Sequence, residues 1–199
     1  MKKFLWGLMT LLSVGVALYG WAFLLSEGFG QSGQMATHFA ERPLAVFLHF
    51  SFSPLALLVG GFQFMEGVRK KRPVIHRWTG RTYVLACMLG AIGGLWMALT
   101  TGAGAFAQSG FALLAIFWIV TTGKAYQEAR AKRFDSHRRW MIRSFALTFA
   151  AVTLRLYLGL SLGPLQLEFA VAYPYISWAC WVPNLLFAEL YLRRSRFSP

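Results

Sequence analysis

The chain has 199 residues, 57% hydrophobic and 14% charged, with a formal net charge of +13. Apolar runs of about 20 residues recur along it, which excludes a soluble globular protein. The basic excess invites a nucleic-acid partner, but its placement argues for membrane topology instead, and no nucleic acid is expected.

The breaks between apolar runs give six candidate spans, at about 4–25, 43–65, 82–102, 105–124, 141–162 and 172–192. Met1-Lys2-Lys3 ahead of the first run resembles a secretory leader. The run is too long for one and lacks a small-x-small cleavage site, so it reads as an uncleaved first helix. Ser26 to Arg42 follows as an outer loop rich in Gly, Ser and Gln, carrying Glu27, His38 and Glu41. His38 is either a loop residue or the partner of His49, which lies in the second span, about 9 Å below its outer end. Ser51 and Ser53 continue down from it, and beside Pro54 the His49 ring reads either as a pocket residue or as one that bonds a backbone carbonyl.

The third span is dominated by Ala86, Gly90, Ala91, Gly93, Gly94 and Ala98. Small residues there serve either close helix packing or room for a flat cofactor. Trp96 and Met97 fall at the depth of His49, before the short Gly102-Ala103-Gly104 connection. Arg155, in the fifth span, reaches a similar depth of about 10 Å. A guanidinium inside a span costs on the order of 3 kcal/mol and needs an internal partner, a bound ligand or else Glu41 or Glu168. In the sixth span an i,i+4 pair with Arg193 accounts for Glu189. Cys87 and Cys180 differ in depth by about 10 Å, too far for a disulfide, and read as small buried residues.

One string occurs twice. Lys71-Arg72-Pro73-Val74-Ile75-His76-Arg77 and Lys132-Arg133-Phe134-Asp135-Ser136-His137-Arg138 each stand just before an apolar run and are followed by Trp78 or Trp140. The loops 66–81 and 125–140 that hold them match in length and charge. Spans two-plus-three and four-plus-five therefore read as related hairpins, flanked by the first and sixth. With the N-terminus inside, 18 of the 20 basic residues are cytosolic, leaving Arg42 outside and Arg155 within a span. This fits six helices with both termini cytoplasmic in a bacterial inner membrane, with anionic lipid headgroups against the basic face.

Both string histidines then sit near the inner interface, where two neutral imidazoles can hold one haem iron. Arg77, Arg81, Arg138, Arg139 and Arg143 crowd that level and suit the propionates. The plainer alternative is loop histidines that cap helices or touch lipid phosphate. His49, Arg155, Trp96 and Met97 outline an outer pocket for a second haem, a quinone headgroup or another anionic ligand. Intramembrane acids are scarce, which counts against a proton-coupled transporter.

His49, His76-Arg77-x-x-Gly80-x-x-Tyr83, His137-x-x-Trp140-Met141-x-Arg143-Ser144 and Arg155 resemble a bacterial membrane-protein family, domain of unknown function 2306, over about 40–160. The resemblance brings no activity with it, and chain length reads as one transmembrane domain across 1–199 around that family-like core. The helix layout also looks like that of b561-type cytochromes, although no His in the fourth span supplies their second pair. The expectation is an all-α six-helix bundle binding haem b, one or two, for membrane electron transfer with a quinone or a redox partner protein. The alternative is a non-enzymatic accessory or assembly subunit, as a homo-oligomer or inside a larger complex.

Overall fold

The computed structural model describes residues 2–25 and 33–194, which are mostly helical and without strands. Five helices are long and apolar enough to cross a membrane: Phe4–Leu25, Pro43–Phe64, Pro73–Leu99, Ala105–Arg130 and Phe134–Leu162. Large side chains such as Phe4, Leu11, Leu85, Leu99 and Leu156 stay exposed along them, as a lipid solvent allows. Packing divides the chain into two compact units, Met1–Gly102 and Ala103–Pro199.

The first unit holds α1 (Lys2–Leu25), α2 (Gly33–Glu41), α3 (Pro43–Gly60), α4 (Glu66–Lys71) and α5 (Pro73–Leu99), with a 3₁₀ turn over Gly61–Phe64. Pro43 and Pro73 open their helices, where the missing N–H costs nothing. Pro54 inside α3 removes a backbone bond. There α1 closes in, with Gly20 against the Pro54 ring and the Trp21 indole donating to the Ser51 carbonyl at 3.1 Å. Antiparallel to α3, α5 runs with Gly90 and Gly93 on the seam. A Cβ on Gly93 would lie 2.6 Å from the Ala45 carbonyl oxygen and 2.7 Å from the His49 nitrogen. These glycines are therefore filled by α3 itself, which settles them as packing residues.

In the second unit α6 (Ala105–Arg130) pairs with α7 (Phe134–Thr148), followed by α8 (Ala150–Leu162), α9 (Phe169–Ala179) and α10 (Val182–Arg194). The α6–α7 seam is polar: Trp118 donates to Thr148 at 2.9 Å, and the Thr122 and Ser144 hydroxyls meet at 2.7 Å. The stretch expected as one sixth span is two helices interrupted at Cys180 and Trp181. Pro183 explains the interruption, because it lacks the N–H that would reach back one turn. Asn184 donates to the Cys180 carbonyl at 3.1 Å, and Thr153 also bonds that oxygen.

Two other expectations change. The outer loop contains α2, so His38 is helical, while Glu27 lies outside the described residues. α5 and α7 begin well before their apolar runs, at Pro73 and Phe134, because the backbone ladder continues through the charged interface where hydropathy does not register it. Cys87 and Cys180 are free and buried.

Candidate histidine and arginine sites

His76 and His137 lie inside helices rather than before them. The His76 N–H donates to the Arg72 carbonyl at 3.2 Å and the His137 N–H to that of Arg133 at 2.9 Å, the first backbone bond of each helix. The duplicated string therefore produces the same local structure twice. Side chains at such positions lean back toward the helix start, here the basic end.

The His137 ring is fixed across the α6–α7 seam, with Nδ1 2.8 Å from the Ala125 carbonyl oxygen. A carbonyl only accepts, so Nδ1 carries a proton, and in the neutral ring Nε2 then has the lone pair. His49 repeats this on α3. Its Nδ1 lies 2.9 Å from the Gly90 carbonyl oxygen and 3.2 Å from the Ser53 hydroxyl, and its ring rests on Gly94. A proton held on Nδ1 by a backbone carbonyl is how proteins orient imidazoles that bind metal through Nε2. It equally satisfies a buried ring. No group of three or more His, Cys, Asp or Glu is gathered for a chelated metal among the described residues. Haem needs only one or two such ligands.

A signal missed in the sequence is a repeated Trp-x-x-Arg pair. The Arg81 guanidinium lies 5.0 Å from the Trp78 ring centre and that of Arg143 4.7 Å from Trp140. One turn apart on a helix, each cation covers its ring. Arg143 also makes a two-pronged ion pair with Glu189, one prong at 2.9 Å. This corrects the i,i+4 pairing expected for Glu189 with Arg193, and the guanidinium expected to hold a propionate is already engaged. Arg77 and Arg138 are exposed.

The other expected residues are spread over both units. His49, Trp96 and Met97 belong to the first, where Trp96 is 43% exposed and Met97 half-buried. Arg155 belongs to the second, half-buried on α8, donating to the Ala151 carbonyl at 3.2 Å with its charge bearing on Tyr173 and Cys180. His76 and His137 are likewise one in each unit. His38, on α2, is buried, and its Nδ1 has no hydrogen-bond partner among the described residues. Burial holds its pKa below the ordinary histidine value, the Arg42 charge adds to this, and Glu41 opposes it.

No curated protein and no solved structure matches the chain, so the likeness to b561-type cytochromes stays one of layout. The family described as a predicted membrane protein, domain of unknown function 2306, matches residues 46–192, and the chain belongs to that family.

Proposed function

We propose that the protein binds b-type haem and carries electrons within a bacterial inner membrane, with a quinone as its membrane-soluble partner. The observation that supports this most is His137, whose Nδ1 donates to the Ala125 carbonyl, so that Nε2 is the nitrogen the neutral ring would present to a ligand. That is the donor a haem iron takes, and the ring is held before any ligand arrives. The repeated string proposes His76 for the second axial position. Arg77, Arg81 and Arg138 would meet the propionates, since Arg143 is engaged by Glu189. A bound haem supplies one-electron transfer. The protein's own part is to hold the imidazole tautomer, neutralise the carboxylates and exclude water.

His49, with the same tautomer fixed by Gly90, is proposed with Arg155, Trp96 and Met97 for the quinone headgroup or a second haem. Six crossings with both termini on the basic side complete this reading, on the strength of the basic-residue distribution.

The test is an absorption spectrum of protein purified from haem-replete cells. Two axial imidazoles give low-spin iron with a sharp reduced alpha band, and His137→Ala or His76→Ala should each abolish or broaden it. Arg155→Leu should leave that band in place. A colourless protein with intact helix content overturns the proposal in favour of an accessory subunit.

A further inference from the structure

A cleft of about 390 Å³ opens at the start of α7, lined by Asp135, Ser136, Arg139, Trp140 and Arg143. Its charges are in different states. Arg143 is neutralised by Glu189, and Ser136 is turned to the Glu128 carboxylate. Among the described residues Asp135 and Arg139 have neither an ion pair nor a side-chain hydrogen bond, although they stand one turn apart on the same helix. The cleft thus offers one unused negative group, one unused positive group and an indole face.

Its level follows from length. The helical run Phe134–Leu162 has 29 residues, about 44 Å at 1.5 Å per residue against about 30 Å of hydrocarbon. The surplus must stand in the headgroup layer, and the charged first turns of α7 are the part that fits there. Trp140 at the rim matches the interfacial preference of its amphipathic ring.

We infer that this cleft seats the headgroup of a zwitterionic phospholipid bearing a primary amine, with the phosphate on Arg139 and the ammonium on Asp135. The phosphatidylglycerol headgroup would bring the same phosphate to Arg139 but set an uncharged glycerol, in place of the ammonium, against the Asp135 carboxylate. Complementarity of this kind sets specificity more than affinity. The inference needs the membrane setting alone and is independent of haem.

Full-length protein, delipidated in detergent, is titrated with phosphatidylethanolamine or phosphatidylglycerol, and bound lipid is read by native mass spectrometry. The wild type should bind phosphatidylethanolamine about tenfold more tightly, the scale of one charge-assisted contact. Asp135→Asn should level the two lipids, and Arg139→Gln should weaken both. Equal wild-type affinities overturn the inference whether or not a variant folds, and so does a preference that survives in both variants. Soluble phosphoethanolamine should not displace the lipid at equal concentration. If it does, the cleft is a site for a soluble amine phosphate and the lipid assignment falls.

Discussion

The two units contain the same string and the same first-turn histidine, yet they close their hairpins by different physics. In the first, α3 and α5 meet backbone to backbone across Gly90 and Gly93, and His49 lies in that seam. In the second, α6 and α7 are held by side-chain hydrogen bonds, Trp118 to Thr148, Thr122 to Ser144 and His137 to the Ala125 carbonyl. Lipid offers helices no hydrophobic drive to associate, so they join through close van der Waals approach or polar bonds. The first copy relies on close approach with the His49 bond to the Gly90 carbonyl added to it, and the second on polar bonds.

The contrast breaks most readily at Gly93. Gly93→Val should destabilise the first unit by about 3 kcal/mol, since the new atoms meet backbone that cannot move aside. Gly102→Ala, with nothing within 4 Å, should leave the melting temperature unchanged. A Gly93→Val protein melting like wild type would remove the glycine seam as the cause of closure.

In the second unit the loss should be smaller and divisible. Trp118→Phe leaves the Thr148 hydroxyl without its indole and should cost about 1 kcal/mol. In a double-mutant cycle, Thr122→Val and Ser144→Ala should couple by about 0.6 kcal/mol, the typical value for such membrane pairs. Purely additive losses would show that shape, not the hydroxyl bond, holds the seam. Glu189→Gln should cost less than about 1 kcal/mol, because the pair with Arg143 is partly exposed at 20% and 35%.

The smallest effect belongs to His38. Its folded-state pKa lies below the ordinary value of 6.5, so the unfolded chain binds more protons over that interval. The stability it contributes is complete above pH 6.5 and declines as pH falls through that value toward the lowered one. Melting temperatures across this window should fall less steeply in His38→Gln. Equal slopes would mean that the buried ring takes up its proton as readily as in the unfolded chain.

Much was legible in the residues. Helical class and the absence of a Cys87–Cys180 disulfide followed from apolar run length and spacing, because a lipid solvent forces every backbone group into a helical ladder. The split of the last apolar stretch was less visible, since hydropathy is blind to the N–H missing at Pro183. The partner of Glu189 was misread for a similar reason. The Arg143 partner, Glu189, is 46 positions away.

What the sequence determined by itself is local: which segments are apolar enough to cross a membrane, where the basic residues lie, and that one basic string with its histidine occurs twice. What only the tertiary structure decided is relational: which glycines are filled by a neighbouring backbone, which carbonyl fixes each imidazole tautomer, and which cation is already spent on a carboxylate. Run length and charge are properties of consecutive residues, whereas a hydrogen-bond partner depends on which helix packs beside which.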